Sequence, residues 1–136
     1  MSRRRLYLWL LAGCIILLMT LTSIPNPRIA PAFPGADKVA HFAFYSVAGF
    51  LCALWRREAG RDARRAVMFA FGLVLLLGAF DEVHQHWIPG RSMDILDWLA
   101  DIAGGSAGAL LSVSAVSLVP SLLSAENQSA PNAIPR

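Results

Sequence analysis

Long apolar runs, parted by short segments that hold most of the arginines, constrain this chain more than any other feature. Leu6 to Ile24 would rise about 28 Å as a helix, close to the depth of a bilayer's hydrocarbon core. Val39 to Trp55 forms a second, shorter run, and a third begins near Ala66 and continues past Phe80 through Asp81, Glu82 and Gln85. The last starts within Ser92 to Asp97 and reaches about Val119. Backbone amides cannot stay unpaired in hydrocarbon, and these runs are too long and continuous for barrel strands. The expected fold is therefore an all-α membrane protein, a four-transmembrane-helix bundle with helices at about 6–24, 39–55, 66–85 and 95–119. Composition agrees: 15% of residues are charged and 56% hydrophobic, whereas soluble domains carry about a quarter charged. Pro25 and Pro27 end the first run, which exceeds a signal peptide's apolar core and precedes no small-x-small cleavage site, so it is read as a retained helix. Residues 1–120 form one domain in this reading, and the Pro-, Ser- and Asn-containing tail, 121–136, is expected to be disordered.

Charge gives the orientation. Ser2 to Arg5 is basic, and Arg56 to Arg65 carries five arginines against Glu58 and Asp62. Both segments belong on the cytoplasmic side, as do both termini. The net charge of +3 thus reads as topology, with no stripe that would suit nucleic acid. Cys14 and Cys52 fall at different depths, which excludes a disulfide between them.

Parity then brings the intramembrane polar residues to one face of the membrane. Asp37, His41 and Tyr45 recur every four residues and lead to Gly49, forming one stripe of the second helix. On the fourth, Asp94, Asp97 and Asp101 stand at i, i+3 and i+7, and the same face continues through Gly104, Gly108 and Ser112. Gly104 and Gly108 make a small-xxx-small pair that admits another helix backbone. Capping accounts for Asp37, Ser92 and Asp94, and for Asp97 as a partner of Asp94. It does not account for Asp101, which lies a turn inside and needs a proton or a partner, His41 being the candidate. Asp81 and Glu82 occupy a last helical turn, where the macrodipole disfavours negative charge. Arg91, folded back by the Pro89-Gly90 turn, is the expected cation, bridging Glu82 or left free for an anionic ligand. His84, His86 and Trp87 read as interfacial residues, with Trp55 and Trp98 as further anchors. His41, Glu82, Asp97 and Asp101 could form a mixed oxygen and nitrogen metal site, but no short H-x-x-E spacing marks one, so neither metal nor cofactor is assigned.

In order, Asp37-Lys38-x-x-His41-Phe42-x-x-Tyr45, Glu82-x-x-Gln85-x-x-x-Pro89-Gly90-Arg91 and Asp97-x-x-x-Asp101-x-x-Gly104 resemble the VanZ-like family of bacterial membrane proteins, named for low-level teicoplanin resistance. The resemblance spans roughly Asp37 to Gly108. It implies a multi-pass protein of the bacterial cytoplasmic (inner) membrane, with the bilayer as partner and a lipid-linked or glycopeptide ligand from the cell envelope. The ligand-binding candidates are Lys38, His41, Tyr45, Glu82, Gln85, Arg91, Asp97 and Asp101. Three functions fit them: a binding or resistance module; an enzyme acting on a lipid-linked phosphate, with His41, Glu82 or Asp101 in acid–base roles; and a proton-coupled transporter, which four helices could serve only as an oligomer. No Ser or Cys nucleophile marks the cluster, so whether it is catalytic stays open.

Overall fold

The computed structural model describes residues 1–25 and 33–128, and within them each apolar run is a helix: α1 Arg3–Thr22, α2 Ala36–Glu58, α3 Ala63–Gln85 and α4 Ile95–Leu118. All four are long and apolar enough to cross a membrane, and no strand occurs among the described residues. The helices reach beyond the apolar runs into the charged flanks because polar residues stabilise their ends. Ser2 Oγ accepts the Arg5 N–H at 3.4 Å, and an Asp62 oxygen accepts the Arg65 N–H at 2.8 Å. At the far end of α2, Arg56 and Arg57 extend the helix where the macrodipole favours cations. Of the residues expected to cap, Asp94 does so, accepting the Leu96 N–H at 2.8 Å. Asp37 instead lies inside the first turn of α2, which starts from Gly35, and Ser92 precedes the α4 cap.

In the bundle, α2 packs against each of the other long helices, while α1 lies chiefly along α2 and only brushes α3. The α2–α4 seam is the tightest. A Cβ built on Gly104 would land on the Phe42 carbonyl, one on Gly108 on the Ser46 carbonyl, and one on Gly49 on the Gly105 carbonyl. The two backbones touch there, which is how helices associate in lipid, where dispersion between close surfaces replaces the hydrophobic effect. The core is accordingly built of small residues: Ala48, Cys52, Ala53, Ala70 and Ala109, closed by Leu11. A second cluster of larger residues, Leu18, Tyr45 and Val74, packs beside it, while other large apolar side chains point the other way. Trp9, Ile16, Leu76, Phe80, Leu110 and Leu118 are exposed and supply a lipid-facing surface. Cys14 and Cys52 are both free thiols.

The ends of the bundle differ in charge. At one, Arg3 donates to the carbonyls of Ser121 and Leu123, Tyr7 Oη donates to the Leu122 carbonyl at 2.5 Å, and Glu58 Oε2 accepts the Ser124 N–H at 3.0 Å. The basic start of α1 and the basic end of α2 therefore share this end with the segment after α4. These contacts hold the first residues of the segment that follows α4. Pro120–Leu122 is a 3-10 turn, Leu123 is 1% exposed, and a short helix, α5, spans Ala125–Gln128. A buried leucine and the carbonyls held by Arg3 and Tyr7 order a stretch whose composition carries no periodicity. Residues 129–136 of the expected tail, and Pro27 with the rest of 26–32, lie outside the described residues.

Candidate functional site

At the opposite end, the finish of α1 and α3 meets the start of α2 and α4, and the polar residues converge. The four-residue spacing of α2 turns His41 and Tyr45 into the bundle, where their rings stack with centroids 6.4 Å apart and planes 7° from parallel. Across the α2–α4 seam, His41 Nδ1 lies 2.9 Å from Asp101 Oδ1. The close approach at Gly104, one turn below Asp101, makes that contact reachable. On the α3 side, the missing side chain of Gly78 leaves room for the carboxylate: a Cβ there would stand 2.8 Å from Asp101 Oδ2. Asp101 is thus enclosed from two directions and has no exposed surface, so the expected His41 partnership holds.

Two further carboxylates enter from α3. Asp81, also fully buried, accepts a hydrogen bond on Oδ2 from Gln85 Nε2 at 3.3 Å. Glu82 Oε2 accepts the Asp94 N–H at 2.7 Å, fastening the end of α3 to the start of α4. Oxygen or nitrogen atoms of His41, Asp81, Glu82 and Asp101, one from each, lie within 4.8 Å of one another. Among the described residues, Asp81 Oδ1, Glu82 Oε1, Asp101 Oδ2 and the Tyr45 hydroxyl are buried with no hydrogen-bond partner. Two ionised carboxylates about 4–5 Å apart repel by roughly 3–4 kcal/mol even at an effective dielectric of 20. The cluster therefore calls for protons or a cation in its midst.

A second acidic group, Asp37, Asp94 and Asp97, lies beside it and already holds a cation. Lys38 Nζ is 2.8 Å from Asp94 Oδ2 and 3.0 Å from both Asp97 Oδ1 and Asp37 Oδ2. The Lys38 ammonium, helped by the Leu96 N–H, holds the Asp94 carboxyl below the usual carboxylate range. Asp97, grouped by sequence with His41 and Asp101 as a potential metal ligand, is drawn to Lys38 instead.

The anticipated Arg91–Glu82 salt bridge is not formed. Arg91 donates from Nη1 to Gln85 Oε1 at 3.4 Å, from Nη2 to the Leu21 carbonyl at 3.3 Å and from Nε to the Ile24 carbonyl at 3.4 Å. The end of α1 presents carbonyls without intrahelical partners and the negative pole of its dipole, which attract the guanidinium. Glu82 is meanwhile held by a backbone amide. Trp98 also departs from its reading as an interfacial anchor, since its Nε1 donates to the Leu75 carbonyl at 3.1 Å, well down α3. His84 stacks on Phe80, and His86 and Trp87 are exposed beside each other, apart from the cluster.

Sequence reasoning underrated Asp81, treating it only as a misplaced charge. The available signal was its register with Gly78 three residues before and Gln85 four after, which marks one inward face of α3. Also unforeseen was a groove of about 520 Å³ between α3 and α4, lined by Ala79, Val83, Met93, Ile95 and Trp98 together with the carboxylate residues Glu82 and Asp94. Glu82 connects the apolar groove to the buried cluster.

A family model described as VanZ/LLP1 matches residues 12–118, from within α1 to the end of α4. Searches of curated proteins and of solved structures return no match.

Proposed function

This chain belongs to the VanZ/LLP1 family of multi-pass membrane proteins, and from that premise we propose that it binds, at the outer face of the bacterial cytoplasmic membrane, the polar head of an amphiphilic envelope ligand, lipid-linked or of the glycopeptide type. The observation that carries this reading is Glu82, which lines both the apolar α3–α4 groove and the buried ionisable cluster. A hydrocarbon tail lying along Val83, Met93, Ile95 and Trp98 would bring its headgroup to Glu82, Asp94 and Lys38. Outward orientation follows from the arginines gathered at the other end. Binding of a polyprenyl phosphate to the purified full chain in lipid nanodiscs tests the proposal. Saturable binding that Val83→Trp, which fills the groove, abolishes is expected; equal retention by this variant and the wild type would refute it. In bacteria, Asp101→Asn, compared with wild type at matched abundance, is expected to abolish protection against teicoplanin, and protection equal to wild type would count against the proposal.

The His41–Asp101 contact favours a second reading, acid–base chemistry on a lipid-linked phosphate. His41 Nδ1 lies 2.9 Å from Asp101 Oδ1; an ionised Asp101 would take the Nδ1 proton in a hydrogen bond and leave the lone pair on Nε2, available to exchange a proton with a bound headgroup. Product formation from a lipid-linked phosphate by wild type, absent in His41→Ala, would establish this reading over binding alone.

A further inference from the structure

We propose that His41, Asp81, Glu82 and Asp101 together bind one divalent transition-metal cation, Mn²⁺ or Zn²⁺, within the membrane. The inference deepens the headgroup reading of the same site and is tested without any lipid. Its first support is geometric. Ligand atoms that all fall within 4.8 Å of one another fit around a common centre, since atoms about 2.0–2.4 Å from one ion lie at most about 4–5 Å apart.

The second support is the unmet bonding of the carboxylates themselves. Asp81 and Asp101 are 0% exposed and Glu82 4%, yet each keeps one buried oxygen without a partner: Asp81 Oδ1, Glu82 Oε1 and Asp101 Oδ2. Buried polar atoms are rarely left unpaired in a folded protein, and a bound ion is one partner that would satisfy them. Here three such atoms come from separate carboxylates on two helices, α3 and α4.

Neighbouring cations are committed elsewhere. Lys38 sits among Asp37, Asp94 and Asp97, and Arg91 holds the α1 carbonyls and Gln85. The two acidic groups side by side make the contrast plain: one contains its own ammonium, the other only His41. The donor set then selects the ion. Three carboxylates with an imidazole suit Mn²⁺ or Zn²⁺, whereas Mg²⁺ and Ca²⁺ take all-oxygen shells and keep more water. A divalent cation would also offset two of the three carboxylate charges, and an open coordination position on it would take a phosphate oxygen of an anionic headgroup directly.

The test uses the full chain in detergent, stripped with a chelator and titrated with MnCl₂ while the electron paramagnetic resonance of free Mn²⁺ is followed. About one Mn²⁺ per chain is expected, with Zn²⁺ competing and Ca²⁺ at equal concentration failing to displace it. Asp81→Asn and Asp101→Asn should each weaken binding at least about tenfold, and Asp62→Asn, at the opposite end of the bundle, should leave it within about twofold. Should the carboxylate variants fail to fold, nitrogen hyperfine coupling to bound Mn²⁺ in wild type, retained in His84→Ala/His86→Ala, gives the same answer. No stoichiometric uptake, uptake indifferent to both Asp81→Asn and Asp101→Asn, displacement by Ca²⁺, or bound Mn²⁺ without histidine coupling would overturn the proposal. Because no lipid takes part, these outcomes are independent of the headgroup reading.

Discussion

Deleting either partner of the His41–Asp101 pair should cost far more than deleting an ordinary interhelical hydrogen bond. Asp101 has no exposed surface, its Oδ1 lies 2.9 Å from His41 Nδ1 and its Oδ2 has no partner. His41→Ala removes the imidazole and leaves a carboxyl group sealed between α2, α3 and α4. Breaking a buried pair in this way destabilises by about 3–5 kcal/mol, because the remaining group loses its compensation. Asp101→Ala should cost a similar amount, and in the double variant neither orphan remains. The coupling energy is therefore expected at about 1.5–3 kcal/mol, the range of a hydrogen bond to a charged group. Neutral interhelical hydrogen bonds in membranes average about 0.6 kcal/mol by the same method, so the two cases are separable. Unfolding of wild type, both single variants and the double variant in mixed micelles, driven by a denaturing detergent, supplies the four free energies. A coupling no larger than about 0.6 kcal/mol would refute the view that this contact offsets a buried charge.

The glycine seam gives a paired expectation. Gly108→Val, whose Cβ would meet the Ser46 carbonyl, should destabilise by about 1–3 kcal/mol or more, whereas Gly72→Ala, with open space around it, should be neutral or stabilising by up to about 1 kcal/mol in the same assay. Arg91→Ala should loosen the finish of α1, seen as faster hydrogen exchange near Leu21 and Ile24, with the α2–α4 seam unaffected. Lys38→Met should reduce stability at neutral pH. Because Lys38 holds the folded-state Asp94 carboxyl below its unfolded value, that contribution is complete above about pH 4 and fades as pH falls further. The difference between Lys38→Met and wild type should therefore narrow below about pH 4 in pH-dependent unfolding.

The sequence made the spans legible because hydropathy and backbone pairing decide them almost alone. The stripe from Asp37 through His41 to Tyr45 and the small pair Gly104 and Gly108 were legible too, since each lies on one helix at a fixed period. Helix rotation was not. Asp81 and Glu82 are neighbours about 100° apart around α3, and only the packing of α3 against α4, close at Gly78, shows that both turn inward. Asp97 keeps helical register with Asp101, yet Lys38 reaches it from α2, a contact that depends on the azimuth of two helices at once. For Arg91 the sequence offers Glu82 across the Pro89-Gly90 turn, while the carbonyls it holds belong to α1, 67 and 70 residues away. Likewise, a tail without periodicity is ordered to Gln128 by a leucine and an arginine whose partnership no local pattern announces.

Placement of the ionisable cluster at the outer face is tested most directly by labelling single cysteines in intact cells with a membrane-impermeant maleimide, in a background carrying Cys14→Ala and Cys52→Ala. A cysteine at Ser92, beside the cluster, is expected to react without permeabilisation, and one at Arg61, between α2 and α3, only after it. Reaction of both from the same side, or of Arg61→Cys alone in intact cells, would contradict an outward-facing site.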